Sequence, residues 1–201
     1  KKADGILPPA VFGYRENVKK VPYDPDGAKQ LLAKAGYPGG ANFPQLTMYY
    51  RTDYPDIRIV ANAVGEELGK TLNIHVTFKQ LEWGTYLSLN DKNQLPFFHM
   101  RWGADYLDPE NFLSTLLASY GAENHVQYHN PQFDALCAKA DVSMDPEERK
   151  KLYAQAEDMV LQDAPFVPIY FQRDAELISP RVKGIRESVF GHLPHSQLSL
   201  Q

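Results

Sequence analysis

QLTMYYRTDYPDIRIVANAVGEELGKTLNIHVTFKQ, residues 45–80, is the stretch whose pattern decides the fold class. Residues 45–50 read as a strand that leads into Arg51. Pro55 then opens a helix, because its missing N–H costs nothing at the first helical position. Ile57, Val60, Ala61, Val64 and Leu68 share one face of that helix. Residues 74–80, IHVTFKQ, alternate β-branched and polar side chains as a half-buried strand does. Strands alternating with helices predict an α/β fold with a largely parallel sheet.

Working outward, Asp24 and Pro25 make a helix start, and Ala28, Leu31, Leu32 and Ala35 form an apolar stripe expected to face a core. Gly36 suits a left-handed helix end, and Pro38 blocks continuation. Residues 1–22 hold three prolines and little periodicity, which predicts an extended, surface-hugging lead-in. Downstream, a short helix is expected over 82–91. LPFFHMRW (95–102) is apolar enough for a strand, with Pro96 restricting it to a strand start or an edge. Residues 109–118 and 131–140 read as helices. Asp145-Pro146 launches the longest helix, with Leu152, Ala156, Met159 and Val160 inward. Residues 166–172 and 175–179 are expected as two closing strands, and the tail after Pro180 as irregular. No internal repeat or low-complexity tract is present.

The 201 residues, 43% hydrophobic and 23% charged, have the composition of a globular domain rather than a disordered or fibrous chain. A formal net charge of −4 and no run of Lys and Arg that would trail along a phosphate backbone argue against a nucleic-acid partner. No apolar stretch approaches the roughly 20 residues of a membrane-spanning helix. The one cysteine, Cys137, excludes an internal disulfide and any CxxC motif. Its spacing with Phe133, Leu136 and Ala140 fits one helical face, as for a small buried hydrophobe. The opening KKADGILPPAVFGY has no apolar signal core and no initiator Met, so it reads as a mature or excised segment.

RWGADYLDPENF, residues 101–112, is the densest group of chemistry-bearing residues. It follows a predicted strand and precedes a helix, the edge where open α/β sheets bind ligands. Gly103 and Ala104 leave room for close approach, Trp102 offers an apolar wall, and Asp105 sets a carboxylate beside it. That pair suits a bound ammonium. A plain turn residue is the competing reading of Asp105, and Asp108-Pro109 reads as a helix cap. Asp105, Asp108 and Glu110 also admit a carboxylate-dependent hydrolase. Arg51, at a strand end, suits bidentate grip of a carboxylate, or else a surface ion pair with Asp53 or Asp56. His125 and His129 stand four apart but in an extended-looking stretch, His75 lies in a strand, and His192 and His195 lie in the tail. No HExxH, GxGxxG, Walker loop or GxSxG occurs. No metal site and no cofactor are expected.

Four segments in order carry a resemblance: YDPDGAKQLLAKAGYPGG (23–40), LEWGTYL (81–87), WGADYLDPENFL (102–113) and ERKKLYAQAEDMVLQDAPFVPIYF (148–171). Together they resemble the C-terminal half of the dipeptide/oligopeptide/nickel type of ABC-transporter substrate-binding protein, extracellular solute-binding protein family 5. The match runs from about Ile6 to about Gly184. The resemblance implies a type II periplasmic-binding-protein-like lobe, a mixed and mostly parallel sheet flanked by helices, in a fragment of a larger two-lobed protein. Residues 1–22 would be the lead-in, 23–165 the ligand-binding lobe, and 166–201 a hinge crossover and a segment of the missing lobe.

It further implies a binding protein that performs no chemistry and delivers di- or oligopeptides to a membrane permease. The location would be periplasmic or extracellular, with or without a lipid anchor, and the state monomeric. The aspartate of the family's W-x-x-D motif, which anchors the peptide α-ammonium, falls on Asp105, and its tryptophan on Trp102. The arginine that holds the α-carboxylate in dipeptide binders falls on Arg51, four residues before Pro55. A nickel or haem complex is the alternative ligand on the same fold, held in nickel-binding relatives through other residues that include a histidine.

Overall fold

The computed structural model describes residues 1–52, 54–173, 175, 177–185, 196 and 198–201. They divide into two compact units, one of Val21–Gly103 with His125–Gln127, the other of Lys1–Lys20, Ala104–Asn124 and Tyr128–Gln201.

The first unit is built on the strand–helix–strand predicted from residues 45–80. β1 (Leu46–Arg51) pairs in parallel with β2 (Val76–Leu81), from Leu46 opposite Val76 to Arg51 opposite Leu81. Between them runs α2 (Pro55–Leu72), with proline in its first turn and Asn73 ending it in the left-handed region at φ 56°. The free edge of β1 takes one parallel bridge from Tyr49 to Phe98. There Tyr49 N–H donates to Phe97 O at 2.9 Å and His99 N–H to Tyr49 O at 2.9 Å. The strand expected over 95–102 is thus reduced to a bridge, next to Pro96, which has no N–H to extend the ladder.

Alternation along β1 decides what covers each face. Met48 and Tyr50 pack with Ile57 and Ala61 of α2, joined by Val64, Val76 and Phe97. On the opposite face Tyr49 joins the cluster of Leu81, Tyr86 and Leu95, with Trp83, Leu89, Phe98 and Met100. Tyr86 and Trp83 come from α3 (Trp83–Asp91). Helices therefore flank both faces of the sheet. α1 (Pro25–Lys34) starts as predicted, with Asp24 accepting from Gly27 N–H at 2.9 Å. Its apolar stripe is not a core face, however: α1 has no buried residue and Leu31 is 67% exposed. Ala28 and Leu32 are half-covered and the rest of the stripe faces outward.

In the second unit α5 (Pro131–Val142) packs on α6 (Pro146–Asp163), and α4 (Ser114–Leu117) on α5. Phe133, Cys137, Ala140, Leu152, Ala156 and Val160 are buried, as the periodicity indicates, with Leu136 and Met159 half-buried; Tyr153 is buried as well. The lead-in is not confined to the surface. Ala3, Ile6, Leu7 and Val11 are buried, and the Glu157 carboxylate of α6, also buried, accepts from Ile6 N–H at 2.8 Å and Leu7 N–H at 3.1 Å. Arg15 completes this clamp, at 2.9 Å from Glu157 and 2.7 Å from Asp158.

Neither closing strand forms as predicted. Residues 166–172 make one antiparallel bridge, Tyr170 to Lys2, beside which Phe171 N–H donates to Lys1 O at 2.7 Å. The described residues of 175–179 form no strand. A two-residue antiparallel pair, β3 (Val182–Lys183) with β4 (Ser199–Leu200), lies beyond them. The helix expected over 109–118 is broken into a 3-10 turn, Pro109–Asn111, and the single turn of α4. Buried Asn111 turns its side-chain oxygen back to Asp105 N–H at 3.1 Å, a local bond that competes with a continuous helix.

Candidate functional site

Arg51 is the last residue of β1 and falls on the same side of the pleat as Tyr49, the side covered by α3. That helix begins at Trp83, and Glu82 fixes its start by accepting from Gly84 N–H at 2.8 Å and Thr85 N–H at 3.1 Å. The Arg51 guanidinium carbon then lies 3.8 Å from the Trp83 ring centroid and 4.8 Å from that of Tyr54. Stacking of this kind holds a guanidinium by its face. The Trp83 ring is itself stacked on Tyr86, with centroids 5.7 Å apart.

A second arginine reaches the same tyrosine. The Arg101 guanidinium carbon is 4.6 Å from the Tyr54 ring, and its Nη1 is 3.8 Å from Asp56 Oδ2. Two residues upstream, His99 is buried and held neutral: burial pulls its pKa down, and the charge of Arg101 pulls in the same direction against Asp56. Tyr86, wholly buried, donates its hydroxyl to His99 O at 3.0 Å, and burial raises its pKa far above the ordinary range. Trp102 follows, half-buried, and a Cβ placed on Gly103 would meet nothing within 4 Å, so the backbone there is open as expected. Arg51 and Trp102 both belong to the unit Val21–Gly103; the ion pair of Arg51 with Asp53 lies outside the described residues.

Asp105 belongs to the other unit and is exposed. It is not a self-bonded turn aspartate: its N–H is taken by Asn111, and among the described residues its carboxylate has no hydrogen bond or ion pair. Its neighbours are committed. Asp108 accepts from Glu110 N–H at 2.9 Å, which bears out the cap, and both its oxygens accept from Arg149 on α6, at 2.9 Å each. Partial burial would raise the Asp108 pKa, but the Arg149 and backbone hydrogen bonds prevail and hold it below the ordinary value. Glu110 accepts from the Tyr106 hydroxyl and, at 2.9 Å, from Thr115 Oγ1. A hydrolase needs one of its carboxyls raised to serve as an acid. Asp108 is moved the opposite way.

Among the described residues no three His, Cys, Asp or Glu side chains gather as metal ligands. His125 and His129 fall in different units, and His125 Nε2 stands 3.9 Å from Asp91 Oδ1. His75 is exposed and stands just before β2 rather than in it, and His192 and His195 lie outside the described residues. Cys137 is fully buried, and burial pushes its thiol up to about 12. From sequence, Tyr54 and Trp83 carry no site role, and Arg101 falls in the 101–112 group without a role of its own. The signal for Trp83 was available, since Arg51 and Tyr49 share one face of β1 and Trp83 opens the next helix.

The family model of the bacterial extracellular solute-binding proteins, family 5, in its middle part, matches residues 1–124. The chain belongs to this family. Heme-binding protein A of Haemophilus influenzae is 35% identical over 193 residues, 94% of this chain and 35% of the relative. Di/tripeptide-binding protein 4 of Pseudomonas aeruginosa is 32% identical over 178 residues, 85% of this chain and 32% of the relative. The solved dipeptide-binding protein of Pseudoalteromonas sp. SM9913, in complex with Met-Leu, superposes with a TM-score of 0.78 at 28% identity, over 100% of this chain and 40% of that one. The fold is thus that of the type II periplasmic binding proteins. The chain spans about a third of the length of the curated family 5 relatives it matches.

Proposed function

We propose that this chain is part of the substrate-binding component of an ABC importer, which takes di- or oligopeptides by their charged ends and delivers them to a membrane permease. Asp105 takes the α-ammonium, Trp102 supplies an apolar wall, and Arg51 takes the α-carboxylate. No bond is made or broken. The observation that carries this reading is the Asp105 carboxylate, exposed and without a partner among the described residues, on a loop whose other two acids are both engaged. The guanidinium of Arg51, stacked on Trp83, and the relatives named for dipeptides and tripeptides support it.

The protein to test is the full-length one, in which residues 23–165 would serve the ligand-binding lobe and 166–201 would cross to a second lobe. We assign it to the periplasm or the cell exterior, with or without a lipid anchor, as a monomer. Asp105→Asn leaves a bound ammonium without its counter-charge, so it should weaken peptide binding by about 2–5 kcal/mol while leaving the circular dichroism spectrum unchanged. Equal affinity of variant and wild type would remove Asp105 from the site. A haem complex is the second reading, favoured by the likeness to Heme-binding protein A over 94% of the chain. Titration with haemin, followed by its absorbance, separates the two.

A further inference from the structure

Arg101 has an environment that its role in the fold does not use up. Its side chain is 23% exposed, so it is largely withdrawn from water yet reachable. Its guanidinium carbon lies over the Tyr54 ring, 4.6 Å from the centroid. Attraction to the ring engages the cation's charge, while its five N–H donors still call for acceptors. Among the described residues those donors make no hydrogen bond; the one ion-pair contact, Asp56, stands at 3.8 Å on a side chain that is 50% exposed. The neighbouring imidazole, His99, is buried and neutral, so it neither supplies nor neutralises a charge. Tyr54 is also the ring that Arg51 approaches, at 4.8 Å. Two guanidinium groups thus share one aromatic platform, with Arg51 at the end of β1 and Arg101 just past the Phe98 bridge beside it.

We infer that Arg101 is a specificity residue that binds a second carboxylate on the ligand, so that the protein prefers peptides whose carboxyl-terminal residue is Asp or Glu. The inference rests on the peptide reading above, with Arg51 on the α-carboxylate. A C-terminal acidic residue carries its two carboxylates a few bonds apart, the arrangement that two arginines around one ring can meet together. A charge-assisted, fork-shaped hydrogen bond discriminates strongly against the uncharged amide of the same shape, because the amide returns less for desolvating the guanidinium.

The test uses the full-length protein and two matched pools of short peptides, identical except that every member ends in Glu in one pool and in Gln in the other. Calorimetric titration of the wild type should show the Glu pool bound on the order of 10- to 100-fold more tightly. In Arg101→Gln that ratio should fall to about one, with affinity for the Gln pool changed less than about threefold. Equal affinity of the wild type for the two pools, or a ratio kept in Arg101→Gln, overturns the role of Arg101 and leaves the peptide reading standing. Binding of neither pool overturns both. If circular dichroism shows Arg101→Gln to be misfolded, Arg101→Met takes its place, and a ratio kept there at the wild-type value overturns the role of Arg101.

Discussion

Removing Asp108 tests how the loop that carries Asp105 is held. Its carboxylate does two jobs, capping the turn Pro109–Asn111 and receiving both terminal nitrogens of Arg149, each at 2.9 Å. The two side chains are 28% and 21% exposed, so solvent screens the pair only in part. Hydrogen bonds to charged groups contribute about 1.5–3 kcal/mol, which partial exposure brings to roughly 1–3 kcal/mol for the pair. Loss of the cap adds about 1 kcal/mol, so Asp108→Ala should destabilise by about 2–4 kcal/mol. Asp108→Asn keeps a good capping oxygen and should lose only the charged part. Urea unfolding of the full-length protein, followed by circular dichroism, measures both, and a double-mutant cycle with Arg149→Met isolates the coupling. The sign with pH follows from the depressed pKa of Asp108 in the fold. Its contribution is complete above the ordinary carboxylate range and is lost as pH falls through and below that range. The variants should therefore lose less stability than the wild type between about pH 5 and pH 3. A coupling energy under about 0.5 kcal/mol, or wild-type and variant acid curves that run parallel, would refute this account of the loop.

Glu157→Leu removes the acceptor of two buried N–H groups, Ile6 and Leu7, and should destabilise by about 2–6 kcal/mol in the same assay. Arg15 keeps Asp158 in that variant, so Arg15→Ala should show a separate cost. Gly40→Ala should destabilise by at least about 2 kcal/mol, since Gly40 has φ +77° and an added Cβ would come within 2.5 Å of Leu72 O. The Cys137 thiol, buried and shifted to about 12, should resist a thiol-labelling reagent at neutral pH until the chain unfolds in urea, which a labelling time course would show.

What could be read from the sequence is what neighbours in sequence decide. Asp24-Pro25 and Asp145-Pro146 start helices because cap and proline act within one turn, and both helices begin at those prolines. The faces of α2 and α6 followed from periodicity. The burial of Ile6 and Leu7 did not, because it depends on a carboxylate some 150 residues away. α1 shows the converse failure: its stripe has the right spacing, but nothing in a spacing says whether a partner covers it. The expected closing strands needed edges to pair with, which local sequence does not specify; residues 166–172 make a bridge to Lys2 rather than a ladder. The residues of the proposed site, Asp105, Trp102 and Arg51, were nameable from residue type and position. The Tyr54 ring shared by Arg51 and Arg101 was not, since it forms where the end of β1, the start of α2 and the Phe98 segment come together. Asp105 likewise differs from Asp108 and Glu110 only through partners, Arg149 above all, that local sequence does not reveal.

The central claim is that the protein reads the charged amino terminus of a peptide. The most direct measurement is calorimetric titration of the full-length protein with a mixed peptide pool, repeated with the same pool N-acetylated. Acetylation removes the ammonium and changes little else. The account predicts binding of the free pool and loss of most of that affinity on acetylation, by about 2–5 kcal/mol. Equal binding of both pools would contradict it.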